Sequence, residues 1–137
     1  MNSKPATRGR ARKITYWTVT VWLALGMVAT GLGQLLQAHA GQGGLDMVRH
    51  LGYPAYLVTL LGVWKVAGAL AVLLPRFPVV KEWAYAGFFF IMSGALFSHL
   101  AVEDPLTADL PSLLLLLLTV TSWYLRPASR KLPNFVH

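Results

Sequence analysis

Four long apolar runs, with almost no charge inside them, constrain this chain more than any other feature. They are Ile14 to Leu36, Tyr56 to Leu74, Trp83 to Leu100 and Leu106 to Leu125. A helix crosses the roughly 30 Å hydrocarbon core of a bilayer with about 20 such residues. Pro75, Pro78, Pro105 and Pro127 punctuate the ends, and Pro111 is expected in the first turn of the last helix, where a missing N–H is tolerated. The first run has a basic lead-in like that of a signal peptide. Its length exceeds the 7–15 apolar residues usual there, so a retained span is expected.

Composition agrees. Hydrophobic residues make up 55% of the 137 positions and charged residues 12%, against about 25% charged in soluble domains. The net charge of +7 raises nucleic-acid binding as a class, but the placement of the bases argues for topology instead. With the N-terminus inside, the inner segments hold Lys4, Arg8, Arg10, Arg12, Lys13, Arg76, Lys81, Arg126, Arg130 and Lys131, while the outer loops hold only Arg49. Lys/Arg excess marks the cytoplasmic side, so both termini are expected there. The fold class is thus all-α: an integral membrane four-helix up-down-up-down bundle, N-in and C-in. It has a basic tail at 1–13, a transmembrane domain at 14–126 and a second tail at 127–137. Tyr16, Trp17, Trp83, Tyr85, Trp123 and Tyr124 read as inner interface anchors, and Tyr53 and Tyr56 as outer ones.

Helices pack in lipid through small residues. Gly26 and Gly33 on the first helix, Gly62 and Gly68 on the second, and Gly87 and Gly94 on the third are the expected contact points. Gly94 carries the clearest stripe because Ser98 follows it at the same face. The fourth helix, with leucine from 113 to 118, reads as lipid-facing. In the outer connection, Leu45, Val48 and Leu51 fit a short amphipathic helix lying on the surface.

Lys65 is the residue with most to say about function. It stands at the middle of the second span, where an ammonium costs roughly 2.5–3.5 kcal/mol on insertion scales and therefore faces the interior. Loop pairing sets it opposite Gly26, Met92, Ser93 and Gly94, beside a small cavity open to the outer side. At that outer end Gln34, His39, Asp46, His50, Ser98, His99, Glu103 and Asp104 can form a polar vestibule. Lys65, Ser93, Ser98, His99, Gln34 and Asp104 are the candidate cavity-lining residues. No metal site is expected, since two histidines and two carboxylates on loops are a weak donor set. Cysteine is absent, which excludes thiol chemistry and Cys-ligated metals. No phosphate-binding loop, nucleophile elbow or dinucleotide fingerprint is present, so no catalytic residue is assigned and no cofactor motif is evident.

Leu51-Gly52-Tyr53-Pro54, then GVWKVAGALAVLLPRFPVVKEWAYAGFFF, then GALFSHL and Glu103-Asp104-Pro105 resemble the DoxX-like family of small membrane proteins, from about residue 14 to 126. The resemblance implies four helices in a bacterial inner membrane. The wider group is named for small subunits of a thiosulfate:quinone oxidoreductase, and other relatives look like accessory or assembly proteins. Some relatives place a polar or acidic residue after GFFF, where Ile91 stands here, so an intramembrane ion pair with Lys65 is not carried over. Three functions follow in order. The first is a non-catalytic accessory or assembly component, with a membrane protein or a second copy of the chain as partner. The second is a small subunit of a quinone-linked oxidoreductase, with quinone as cofactor. The third is a small transporter. The lipid bilayer is the expected surrounding partner, and nucleic acid is not.

Overall fold

The computed structural model describes residues 4–36 and 44–133; His39 lies outside them. Among these residues the elements are all helical: α1 Lys4–Leu35, α2 Leu45–His50, α3 Tyr56–Leu73, α4 Pro78–Ala101, α5 Leu106–Leu125 and a short 3-10 turn, Ala128–Arg130. The four long helices α1, α3, α4 and α5 are each long and apolar enough to cross a membrane.

Two helices begin earlier than hydropathy alone places them. α1 runs through the basic segment before Ile14, because alanine, arginine and lysine are good helix formers. α4 starts at Pro78, where a fixed φ suits the first helical position. That places Lys81 inside a helix. The reversal between α3 and α4 is sharp, and Arg76 and Phe77 both take left-handed backbone (φ 69° and 56°), a strained state for residues with a Cβ. Pro111 falls in the second turn of α5, not the first, so the Thr107 carbonyl loses its helical donor there.

α1 packs on α3 and α5, and α4 packs on the same two helices, while α2 touches α3. Leu23, Met27, Ala69, Val72, Tyr85, Phe88, Met92 and Leu115 form the shared core. Glycine decides how closely helices approach. A Cβ placed on Gly62 would stand 2.8 Å from the Gly31 carbonyl oxygen and 2.9 Å from Leu35 Cγ. The α1–α3 contact is therefore a Gly31–Gly62 crossing. Gly68 receives the Phe88 ring, 2.6 Å from the same virtual atom, and Gly26 receives Leu115 at 2.7 Å. Gly33, Gly87 and Gly94 have nothing within 4 Å of that position. The close contact expected at Gly94 is absent, since the Ser98 side of α4 turns to a cavity instead of a neighbouring helix. Gly31, unremarked in the sequence, takes the role.

α5 is not simply a lipid-facing helix. Leu113, Leu114 and Leu117 are exposed, but Leu115, Thr119 and Ser122 are buried on one stripe. With no hydrophobic drive between helices in lipid, leucine faces the acyl chains and hydroxyls turn inward. Thr20 and Ser122 are joined at 2.6 Å and Tyr85 and Ser122 at 2.7 Å. Tyr16 and Tyr85, expected at the interface, are fully buried, Tyr85 in this hydroxyl chain. The bases at this end are also structural. Lys81 donates to the carbonyls of Ala71 (3.1 Å), Leu74 and Arg76 (2.7 Å). Arg130 donates to the Leu73 carbonyl at 2.8 Å and to the Tyr16 hydroxyl at 3.3 Å. Together they satisfy the orphan carbonyls at the end of α3 and hold the strained turn. Arg126 pairs with Glu82, which also accepts from the Trp123 indole at 3.0 Å.

Candidate functional site

At the other end of the helices a cavity of about 230 Å³ opens between α1, α2, α3, α4 and the first turns of α5. Lys65 lies in its wall. The side chain is 5% exposed, and its ammonium has a single hydrogen bond among the described residues, to Thr30 Oγ1 at 3.4 Å. Thr30 Oγ1 in turn donates to the Gly26 carbonyl at 2.8 Å. An ammonium carries three donors, so Lys65 retains donor capacity toward the cavity. Its burial follows from α3 itself, where Lys65 shares a face with Gly62, Gly68, Ala69 and Val72. That face must pack on α1 and α4 for the Gly31–Gly62 and Gly68–Phe88 contacts to form.

The register differs from the loop-based expectation by about one helical turn on α1. Lys65 meets Thr30 and Gly31, not Gly26. Close packing of the two glycines sets the register, and the loop follows. On α4 the cavity is lined by Phe90, Ile91, Met92, Gly94 and Ala95. Ser93 is not among them: its hydroxyl donates to the Phe89 carbonyl of its own helix at 2.7 Å. Gln34, Ser98 and His99 do line the cavity, and Asp104 stands behind His99.

The cavity's end of the molecule is closed by a hydrogen-bonded clamp. His99 Nδ1 donates to one Asp104 oxygen at 2.6 Å, and His50 Nε2 donates to the other at 2.7 Å. Asp104 therefore ties α2 to the end of α4. The imidazole N–H of His99, and then that of His50, hold its carboxyl below the usual carboxylate range. Beside the clamp, the Tyr53 hydroxyl meets Ser98 Oγ at 2.7 Å. Met47, Val48 and Leu51 of α2 and its exit cover the cavity, with Val48 buried. The 45–48–51 spacing foretold an apolar face, though against the protein as well as any lipid. Asp109 is buried on α5, one turn before the cavity-lining Ser112. Neither of its oxygens has a hydrogen bond among the described residues.

The resulting site is mostly apolar, with a cation at one level and hydroxyls and an imidazole at the other. It can hold a small molecule that offers an acceptor to Lys65 and an apolar body to Leu57, Leu61 and Met92. Arranged donors of this kind bind and orient. Among the described residues, no group of three or more His, Cys, Asp or Glu is placed to hold a metal ion.

Neither a curated protein nor a solved structure matches the chain. The family model of the DoxX-like family matches residues 18–122, a stretch that takes in α3 and α4 whole, much of α1 and α5, Lys65 and the His99–Asp104 clamp. By that match, and with four helices fit to span a bilayer, this multi-pass membrane protein belongs to the DoxX-like family.

Proposed function

We propose that the protein is a non-catalytic accessory component of a complex in the bacterial cytoplasmic membrane, and that its outer cavity binds a small lipophilic ligand. The four spans run up-down-up-down with both termini in the cytoplasm, on the ten-to-one Lys/Arg bias. The observation that carries the reading is Lys65. A buried cation with one long hydrogen bond is retained in a mid-span position where any apolar residue would insert more easily. The other buried bases, Lys81, Arg126 and Arg130, are occupied in holding helix ends. The outward faces of α1, α4 and α5 expose Trp22, Phe90, Phe97 and Leu114, surfaces that suit lipid or an apolar membrane partner.

A second reading, a small subunit of a quinone-linked oxidoreductase, is favoured by the two polar levels of the cavity. Lys65 with Thr30, and Tyr53 with Ser98, could each serve one oxygen of a quinone. Purification in mild detergent, followed by mass spectrometry of bound proteins and lipophilic molecules, separates the two. A reproducible protein partner without redox cofactors supports the accessory role. A stoichiometric quinone, reduced when the purified complex is given an electron donor, replaces it with the second reading.

A further inference from the structure

The end of the molecule away from Lys65 holds a second and larger opening. It is a cleft of about 660 Å³ between the start of α1, the end of α3 and the end of α5. Arg12, Lys13, Arg76 and Arg130 line it, and no carboxylate does. None of the four has a carboxylate within 4 Å among the described residues, where the ion pairs are His50–Asp104, His99–Asp104 and Arg126–Glu82.

These charges are positioned in two ways. Arg12 and Arg130 are fixed by the fold. Arg12 donates to the Tyr124 carbonyl at 3.0 Å. Arg130 donates to the Leu73 carbonyl, and its guanidinium stacks over the Trp17 ring at 4.8 Å. A guanidinium has five N–H donors: Arg12 uses one and keeps the rest for a ligand, and Arg130, bonded to the Tyr16 hydroxyl and the Leu73 and Leu74 carbonyls, keeps one. The side chains of Lys13 and Arg76 make no hydrogen bond or ion pair among the described residues. Arg76 projects from the strained turn that Lys81 holds through the Arg76 carbonyl.

The level of the cleft in the membrane follows from its walls. Trp17, Leu73 and Leu125 belong to the apolar spans, and Pro75 and Pro127 follow the last residues of α3 and α5. The cleft is apolar toward the hydrocarbon and cationic where the spans stop, which is the level of lipid headgroups.

We propose that this cleft binds the phosphate of an anionic phospholipid headgroup, with the glycerol and first acyl carbons against Trp17, Leu73 and Leu125. The four bases supply converging donors to a phosphodiester, and the bound lipid bridges α1, α3 and α5 at the point where no side-chain ion pair joins them.

The test uses the full chain in a neutral detergent doped with either phosphatidylglycerol or phosphatidylcholine, read by native mass spectrometry and by melting temperature. The variant is Lys13→Gln with Arg76→Gln, which leaves the bonds of Arg12 and Arg130 in place. Arg49→Gln, on α2 at the opposite end of α3, is the charge control. One phosphatidylglycerol is expected to be retained per chain and to raise the melting temperature, and phosphatidylcholine to do neither. The double variant should bind phosphatidylglycerol about 30-fold more weakly, at roughly 1 kcal/mol for each base removed near a membrane surface, and Arg49→Gln should bind it as the parent does. Equal retention of the two lipids, an unchanged double variant, or an equal loss in Arg49→Gln would overturn the proposal. A melting shift given by 10 mM inorganic phosphate without lipid would overturn the lipid source.

Discussion

Replacing Gly62 by alanine tests the helix packing at the atom that sets it. The new Cβ would stand 2.8 Å from the Gly31 carbonyl oxygen and 3.1 Å from the Leu35 backbone nitrogen. These are backbone atoms, which cannot rotate aside, so α1 and α3 must separate. Overpacking of this kind costs about 1–3 kcal/mol, and two backbone clashes place it in the upper part of that range. Alanine returns about 1 kcal/mol of helix propensity, leaving a net loss of about 1–2 kcal/mol. Gly94→Ala meets nothing within 4 Å and keeps only the gain. The two variants should differ by about 2–3 kcal/mol, or roughly 6–10 °C in melting temperature for a chain of this size. Tryptophan fluorescence in detergent reads both. A Gly62→Ala protein that melts at or above Gly94→Ala would refute the Gly31–Gly62 crossing and the register built on it.

Other consequences follow at the two ends. Lys81→Met removes the donor shared by the Ala71, Leu74 and Arg76 carbonyls and should lower stability by about 2–3 kcal/mol, as for hydrogen bonds to a charged group; thermal melting checks it, and Lys81→Arg should recover part of the loss. At the clamp, the Asp104 carboxyl is held below its ordinary value by its two imidazole donors. Its contribution is therefore present above the unfolded carboxyl value, near pH 4, and is lost as the pH falls through the lower folded value. The hydrogen-exchange protection factors of residues 45–51, corrected for the intrinsic pH dependence of exchange, should stay high at pH 5 and fall on further acidification, whereas Asp104→Ala should lower them at pH 5 as well.

The sequence made the membrane class legible because a span leaves its mark in every residue along it. Helix ends were less legible. Hydropathy stops at Ile14 and Trp83, while the helices continue to Lys4 and Pro78, since helix propensity and a proline at the first position act where hydropathy is silent. Lys65 could be placed in the interior from its depth alone. Its partner could not, because the α1–α3 register is fixed by Gly31 and Gly62 meeting face to face and not by the loop between them. Tyr16, Tyr85, Lys81 and Arg130 have the residue types of interface anchors and topology signals. Only the three-dimensional placement of the α3 carbonyl ends and of Ser122 turns them into structural donors. Asp104 was visible as a vestibule residue, and its link to both His50 and His99 required the fold.

In the proposed function the Lys65 cavity holds a ligand through its ammonium. The most direct test compares the parent with Lys65→Met by native mass spectrometry after mild-detergent extraction from the producing membrane. A stoichiometric small lipophilic molecule is expected on the parent and missing from Lys65→Met, with the variant still inserted, folded and melting near or above the parent once the parent is stripped of ligand. Removing an incompletely bonded buried cation relieves its burial cost without stranding a charged partner. The same molecule retained at the same occupancy by Lys65→Met would contradict the account, and so would a parent that carries no ligand and gains stability from the substitution.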